Sequence, residues 1–460
     1  MIKVNCRKIA LSKFMLMASI MTFAVASCTQ IPQGSGMPDG NGTFLVDDAK
    51  TCELIEHSGP QATTLGNGGL GGIVAAVTTD ASYSSSALWA LDVATDRLCP
   101  VANGESGDLL LTSVGDGLAL FSRRAPELNY SVFTSVGRTS QQATPHAGNG
   151  DPHALRVFRD GPFVRWLIAL NTAGKLVEFD PSAPQESLAV VPAEFSRSSA
   201  GSSFRPVDLM VVKGEELLEK LVKASGGKAD DDYVFALHQG LDASYRANNT
   251  QAIYGWRRIG PGQYFEIDLD GTKPGVNGLA LRFTNPSGFL RNGDRVSMVG
   301  LCFSADPNCK KGIEYLDVIE FGYTTETRVA SDFAAMTIFT NGATVGGRPV
   351  NRNSSANDKP VPMAFAAVQT SSGKKIASID LASGAVQTIH TFDSEGSGFY
   401  GLGFDQASSN LLVGDSDGKQ SLMAVYPIGT NGKASGQPAR YTLASPGQPF
   451  PMQFVLLNKN

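Results

Sequence analysis

The sequence has 460 residues, of which 42% are hydrophobic and 18% charged, and it contains 50 glycines and 24 prolines. This turn-rich composition excludes collagen, coiled coils and intrinsic disorder, each of which needs a compositional bias that the sequence lacks. The formal net charge of −5, with no run of Lys or Arg, argues against a nucleic-acid partner.

The amino-terminal segment has the organisation of an export signal. Residues 1–13 carry four basic side chains and no acidic one, and residues 14–26 form an uncharged apolar run of 13. That run is shorter than the roughly 20 residues of a membrane-spanning helix. Residues 25–28 are Val-Ala-Ser-Cys, which resembles the lipobox of bacterial lipoproteins. The resemblance implies that residues 1–27 are a lipoprotein signal peptide, cleaved before an acylated Cys28.

The position after Cys28 bears on localisation. Thr29 stands there instead of Asp, and within the lipoprotein family this implies transfer to the outer membrane. Whether the protein then points into the periplasm or outward stays open. The alternative for the whole segment is an ordinary secretory cleavage with Cys28 incidental.

The remaining cysteines predict disulfides. Once Cys6 has left with the signal and Cys28 carries lipid, four cysteines remain, and an even number in an exported chain predicts two bridges. Three pairings are possible. The six-residue spacing favours Cys302 with Cys309, which leaves Cys52 with Cys99 by elimination. A zinc site is the competing interpretation.

The mature chain divides by composition. Residues 28–65 contain a Pro- and Gly-rich stretch, which predicts a flexible tether, followed by a first strand. From residue 66 to residue 460, short apolar runs alternate with Gly, Asp, Asn and Ser, and this pattern predicts strand after strand. One helix is predicted, from Glu215 to about Ala224, because its leucines and a valine share one face.

A local design recurs at the ends of several strands. Asp92, Asp268 and Asp380 each close an apolar strand just before a turn, where an Asp side chain can accept hydrogen bonds from turn amides. This run resembles the blade hairpins of quinoprotein-like and YVTN-type β-propellers. With about seven groups of strands along the chain, we expect an all-β fold, a β-propeller of about seven blades with inserted loops and one short helix. Strands in 45–57 and 451–457 would close the ring, and a pair of β-sandwich domains is the rival architecture.

One loop is a candidate metal site. His146, Asp151 and His153 are the only place where two histidines and a carboxylate lie close together in the sequence, and these groups suit zinc or another divalent cation. A plain surface loop is the alternative. Inserted loops often carry function, so this loop is the first choice if one does.

A second motif resembles a nucleophile elbow. Residues 414–418 match G-x-S-x-G, but apolar strand patterns flank them on both sides, and the last histidine, His390, lies upstream. We therefore interpret this motif as a hairpin turn.

These patterns favour a binding protein over an enzyme. The predicted function is a membrane-anchored exported lipoprotein that acts as a non-catalytic binding or scaffold module through its propeller loops, with no cofactor. Its expected partners are the lipid bilayer, through Cys28, and a protein or glycan of the cell envelope. The alternative is a metal-dependent hydrolase or lactonase of propeller type, with the loop from His146 to His153 in its site.

Overall fold

In the computed structural model the chain divides into two units, Met1–Gly34 and Ser35–Asn460, and all described elements lie in the second. The structure describes residues 52–458 with gaps, and between residues 270 and 364 it describes only the backbone of the strands. The longest gaps are 62–71, 143–149, 192–203, 239–251, 270–278, 303–311, 318–342, 348–361 and 393–400. The signal peptide, Cys28 and the predicted tether therefore lie outside the described residues.

Seven antiparallel sheets follow one another along the chain, and we number them blades 1 to 7. The first two strands are β1 (Glu53–Leu54) and β2 (His57–Ser58), which join blades 1 and 7 respectively. Blade 1 further contains β3 (Gly72–Thr79), β4 (Ser85–Asp92) and β5 (Arg97–Ser106). Blade 2 contains β6 (Leu109–Val114), β7 (Gly117–Ser122), β8 (Asn129–Thr134) and β9 (Gly137–Gln142).

Blades 3 and 4 are the best described part of the ring. Blade 3 contains β10 (Pro152–Asp160), β11 (Phe163–Leu170), β12 (Lys175–Phe179) and β13 (Ala189–Val190). Blade 4 contains β14 (Pro206–Lys213), β15 (Asp232–His238), β16 (Ala252–Gly260), β17 (Gln263–Ile267) and β18 (Leu279–Ala280).

The remaining strands form blades 5 to 7 and complete blade 1. Blade 5 contains β19 (Asn285–Asn292), β20 (Arg295–Cys302) and β21 (Gly312–Asp317). Blade 6 contains β22 (Ala343–Gly347), β23 (Pro362–Thr370), β24 (Gly373–Asp380) and β25 (Val386–Thr391). Blade 7 contains β26 (Leu402–Asp405), β27 (Asn410–Ser416), β28 (Ser421–Pro427) and β29 (Ala439–Leu443), and β30 (Phe450–Asn458) returns to blade 1.

The innermost strands close into a ring. In order around it, β30, β6, β10, β14, β19, β22 and β26 each contact the next, and β26 contacts β30 again. Seven meanders arranged in this way are a seven-bladed β-propeller, so the predicted fold class is confirmed.

Both ends of the described chain close the ring. At the axis, β30 pairs with β3 along its whole length. At the rim, β1 pairs with β5 and β2 pairs with β29, so the segment from residue 52 to residue 58 bridges blades 1 and 7. The predicted disulfide between Cys52 and Cys99 is present and fixes β1 to β5, and its two cysteines are 47 positions apart in the sequence. Closing such a loop typically stabilises a fold by about 2–4 kcal/mol.

The hydrophobic core lies between neighbouring blades. Blades 2 and 3 share a cluster of aromatic side chains, in which the Tyr130 and Trp166 ring centroids are 5.4 Å apart. Blades 3 and 4 share another, which includes the fully buried Trp256. Blade 3, which contributes to both clusters, thus buries both of its faces, and the hydrophobic residues of its strands need not alternate with polar ones.

The predicted helix is shorter than expected. A 3₁₀ turn covers Gly214–Glu216 and the α-helix, α1, covers Glu219–Ala224, between β14 and β15. In this 3₁₀ turn the backbone N–H of Glu215 donates to the carbonyl of Ala229 in the loop before β15. Leu217, Leu221 and Val222 are buried, as the apolar face predicted.

Neighbouring blades are aligned so that their innermost strands begin at the same end of the ring and finish at the other end. For example, Leu111 near the start of β6 donates to the Gln453 side chain near the start of β30, and Arg258 near the end of β16 pairs with Asp160 at the end of β10. We call the end at which β30, β6, β10 and β14 begin the upper face, and the end at which they finish the lower face.

Candidate functional site

Four innermost strands begin with the same irregularity at the upper face. Pro152, Pro206, Pro286 and Pro451 are each followed by one bulged residue that has no partner on the adjacent strand. Proline lacks an N–H group, but an innermost strand bonds on one side only and tolerates it. A bulge re-aims a side chain, and in blade 3 the re-aimed residue is His153.

His153 belongs to a cluster of three charged or ionisable side chains. Arg123, which follows β7 of blade 2, donates from Nε to Asp151 Oδ1 at 2.8 Å. His153 Nε2 lies 3.0 Å from Asp151 Oδ2 and 2.6 Å from Arg123 Nη2. The side chains of Arg123 and Asp151 are 13% and 18% exposed, so they form the accessible edge of the cluster.

The protonation state of His153 determines which of these contacts is a hydrogen bond. A bare Nε2 accepts from Arg123, whereas Nε2–H donates to Asp151, and one nitrogen cannot do both. Burial raises the pKa of Asp151, but the hydrogen bond from His153 and the charge of Arg123 outweigh burial and hold that pKa below its ordinary value. Asp151 is therefore ionised at neutral pH.

A second group of side chains continues from the first towards blade 4. The backbone N–H of Asn171 donates to the Asp151 carbonyl at 3.0 Å, and Asn171 Nδ2 donates to the carbonyl of Pro206 at 3.2 Å. Arg205, which precedes β14, approaches Asn171 Oδ1 with Nη1 at 3.5 Å. We call Arg123, Asp151, His153, Asn171, Arg205 and His238 the upper cluster.

His238 completes the upper cluster at the end of β15. Its Nδ1 accepts the backbone N–H of Arg205 at 2.9 Å. Burial, with a smaller contribution from the charge of Arg205, lowers the pKa of His238 to about 4. The ring is neutral at physiological pH and, because Nδ1 is an acceptor, its proton lies on Nε2.

The upper cluster is suited to hydrogen-bonded recognition. It combines two guanidinium groups, a carboxylate and two imidazoles from three blades, and its members hold one another in place. Guanidinium and imidazole N–H groups bind carboxylate, carbonyl or hydroxyl oxygens, so such an arrangement can orient an oxygen-rich partner.

The structure describes two of the three predicted metal ligands. Asp151 and His153 lie together, whereas His146 lies outside the described residues. Arg123 donates to the carboxylate that a cation would need. Among the residues that the structure describes, no group of three or more His, Cys, Asp or Glu side chains is placed to hold a metal. Metal binding at this loop stays a prediction.

The second predicted disulfide, between Cys302 and Cys309, lies partly outside the residues that the structure describes. Cys302 ends β20, of which the structure describes the backbone, and Cys309 lies outside the described residues. The pairing of these two cysteines stays a prediction.

Four of the six members of the upper cluster carry no local sequence signal that predicted them: Arg123, Asn171, Arg205 and His238. They are separated along the chain and come together because the ring brings the start of one blade against the end of a strand in the previous blade. One signal was present, since Asp151-Pro152 and Arg205-Pro206 both place a charged residue before the proline of an innermost strand.

The G-x-S-x-G motif forms a hairpin connection, as predicted. Gly414 and Ser416 belong to β27, and β28 begins at Ser421. The upstream His390 nevertheless reaches this motif. Its Nε2 lies 3.6 Å from Asp415 Oδ2, and its Nδ1 lies 2.5 Å from the hydroxyl of Tyr426. This contact joins blade 6 to blade 7.

A buried ionic network lies at the lower face between blades 3 and 4. Arg258, 3% exposed, donates to both carboxylate oxygens of Asp160, at 2.9 and 2.6 Å, and to both oxygens of the fully buried Glu178, at 3.0 and 2.8 Å. Tyr264 also donates to Glu178, and Arg165 Nε lies 3.1 Å from it. We call Arg258, Asp160, Glu178, Tyr264 and Arg165 the lower network.

The lower network shifts the pKa values of its members. Burial raises the pKa of Glu178, but hydrogen bonds from Arg258 and Tyr264 outweigh burial and lower it below its ordinary value. Burial would lower the pKa of Arg258, but its bonds to Asp160 and Glu178 raise it. The network thus stays charged and links the two blades.

The described residues contain no helix that is long and apolar enough to span a membrane.

A closed ring of seven meanders with a polar cluster at one end of its innermost strands defines a β-propeller. No family model matches the chain, and no curated protein matches it. Several solved structures match the chain, and they are similar to it in fold. A quinoprotein alcohol dehydrogenase-like protein from Bacteroides thetaiotaomicron is 12% identical with a TM-score of 0.49, and the match covers 83% of this chain and 78% of that one.

Two further matches have similar identities. The periplasmic gluconolactonase of Pseudomonas aeruginosa is 15% identical with a TM-score of 0.45, and the match covers 84% of this chain and 100% of that one. TolB from Acinetobacter baumannii is 11% identical with a TM-score of 0.37 over 83% of this chain. The chain spans 66% of the length of that TolB chain.

Proposed function

We propose that the chain is an exported lipoprotein, acylated at Cys28 and held on the outer membrane, whose propeller binds a protein or glycan partner through its upper face without catalysis. The upper cluster is the observation that supports the binding role most strongly. Three blades supply its side chains, and hydrogen bonds fix their positions before a partner arrives. Donors that are already oriented lose little conformational entropy on binding.

The engagement of Asp151 and His153 also favours binding over catalysis. A hydrolase needs a carboxylate or an imidazole that can reach a substrate or hold a metal. Here Asp151 is bonded to Arg123 and contacted by His153, and Asn171 and His238 are almost completely buried behind them. The accessible edge is thus a paired guanidinium and carboxylate, which can recognise a complementary polar group.

Cross-linking in the native membrane tests the binding role. The Arg123→Gln variant should capture much less partner than the wild type, because it loses the guanidinium at the edge of the cluster. Arg124→Gln is the matched control, since Arg124 is the next residue, is exposed, and contacts Tyr83 and the carbonyl of Ser82 instead. Equal capture by both variants would contradict a role for the upper cluster.

The anchor has its own test. Mass spectrometry of the amino-terminal peptide should find an acylated Cys28, and Cys28→Ser should release the protein from the membrane fraction. An unmodified amino terminus in a membrane-free protein would refute the anchor and leave the binding role to be judged by the cross-linking.

The metal-dependent hydrolase or lactonase remains the alternative. It requires a tightly bound divalent ion, so metal analysis of the purified protein distinguishes the two functions. Stoichiometric metal that His153→Ala abolishes would favour the hydrolase over the binding module.

A further inference from the structure

Four large apolar side chains are more than half exposed among the residues that the structure describes. They are Leu54 (73%), Phe163 (63%), Ile259 (55%) and Phe265 (51%). All four lie towards the lower face. Leu54 pairs with Arg97 at the start of β5, Phe163 begins β11, and Ile259 and Phe265 flank the turn between β16 and β17.

Three of the four side chains lie on two adjacent hairpins that turn at the lower face. Phe163 follows the exposed Pro162 at the turn of blade 3, and Ile259 precedes the exposed Pro261 at the turn of blade 4. We call Pro162, Phe163, Ile259, Pro261 and Phe265 the apolar tips. The two hairpins are joined at their base because Arg258, next to Ile259, binds Asp160, the cross-strand partner of Phe163.

The ionic groups beneath the apolar tips are paired. Arg258 and Asp160 neutralise each other in a two-bond contact, and the Arg257 guanidinium stacks over the Phe265 ring at 5.5 Å and lies 3.5 Å from Asp231. Moving a lone charge out of water is costly, whereas a pair with satisfied hydrogen bonds costs much less. The apolar tips can therefore enter an apolar phase without leaving Arg258 or Asp160 as an unpaired charge.

The predicted tether leads to the same face. Residues 29–51 separate Cys28 from Cys52, and Cys52 is fixed to β5 near the lower end of blade 1. If the 24 steps from Cys28 to Cys52 followed the statistics of a flexible chain, their end-to-end distance would be roughly 25–30 Å. A lipid at Cys28 would thus hold the lower face close to the bilayer, and at high effective concentration.

We propose that the lower face rests on the lipid surface, with the apolar tips and Leu54 in the interfacial layer and the upper face turned away from the membrane. The proposal rests on the lipid anchor of the proposed function. Apolar side chains gain free energy when they leave water for the acyl boundary, and several together reinforce a lipid anchor. Lipid is favoured over a protein occupant because the anchored segment enters at this face.

Depth-dependent fluorescence tests the orientation in the full, acylated chain. Ile259→Trp replaces an exposed side chain, and Thr172→Trp is its matched control at an exposed position of the upper face. In vesicles of phosphatidylethanolamine and phosphatidylglycerol, brominated acyl chains should quench the tryptophan of Ile259→Trp and leave that of Thr172→Trp unquenched. Adding Phe163→Ser and Phe265→Ser to Ile259→Trp should reduce the quenching to the control level.

The outcomes separate the orientation from the anchor. Equal quenching of the two tryptophans, or none in either, in protein whose Cys28 is acylated overturns the orientation and leaves the proposed function intact. Quenching of Ile259→Trp alone in Cys28→Ser protein supports the orientation, and the anchor is then judged separately by mass spectrometry of the amino-terminal peptide. A proteinaceous partner that cross-links to position 259 and prevents the quenching would also overturn the lipid assignment.

Discussion

Replacing Arg258 by Met tests the lower network most directly. In the wild type, Arg258 is 3% exposed and binds the fully buried Glu178 through both carboxylate oxygens. The substitution removes one of the two guanidinium charges that compensate Glu178 and leaves that of Arg165, and it also removes the contact of the Arg258 guanidinium with the Phe158 ring at 4.3 Å. Breaking a buried pair from one side typically costs about 3–5 kcal/mol, and we expect a loss of unfolding free energy in that range.

Urea unfolding of Arg258→Met at pH 7 measures this loss, and Arg156→Met is the matched control. Arg156 also joins blade 3 to blade 4, through Asp208 at 3.0 Å, but its side chain is 38% exposed. Exposed pairs contribute about 0–1 kcal/mol, so the control should unfold near the wild-type midpoint.

The pH dependence gives an independent check. In the wild type the pKa of Glu178 is lowered, so its contribution is present above the ordinary carboxyl pKa and is lost as pH falls through the folded value. Arg258→Met removes the largest contribution that lowers the pKa of Glu178, so we expect this pKa to be higher in the variant than in the wild type and protonation to relieve part of the cost. The difference in unfolding free energy between the variant and the wild type should become smaller as pH falls from 7 towards 4. If Arg258→Met unfolded at the same urea concentration as the wild type at pH 7, the role of the network would be refuted.

Two further stability predictions follow from the rim and the upper cluster. Replacing Cys52 by Ala should lower the unfolding free energy by about 2–4 kcal/mol, and a reducing agent should lower the wild-type midpoint but not that of the variant, as urea unfolding would show. The pKa of His238 in the folded protein is lowered to about 4. Between pH 6.5 and 4 the unfolded chain therefore binds a proton at this residue that the folded protein does not bind. Wild-type stability should therefore fall by about 3 kcal/mol across this window as pH decreases, and His238→Gln should lack this component; parallel pH curves for the two proteins would contradict the assignment.

Much of the fold could be predicted from local sequence. Apolar runs punctuated by Gly, Asp and Ser mark strands, because a strand and its turn are encoded within about ten residues. The resemblance carried by Asp92 and Asp380 indicated blades, and cysteine parity with spacing predicted the Cys52–Cys99 bridge. The helix was predicted too long at its start, because the backbone partners of Glu215 in the loop before β15 cannot be read from an apolar face.

The candidate site was harder to predict than the fold. Asp151 and His153 were found because they are neighbours in sequence. Arg123 and His238 were not, because their positions depend on the rotation between blades and on a bulge that redirects one side chain. His390 illustrates the same limit, since its contact with Asp415 crosses from one blade to the next.

The pairing of β30 with β3 determines when the molecule can finish folding. Ile73 and Leu457 are partners in that ladder, so blade 1 lacks its innermost strand until β30 has been made. Contacts so distant in sequence form slowly. Blade 1 is thus completed at both of its edges by distant or covalent partners, because β30 closes it at the axis and the Cys52–Cys99 bridge fixes β1 to it at the rim.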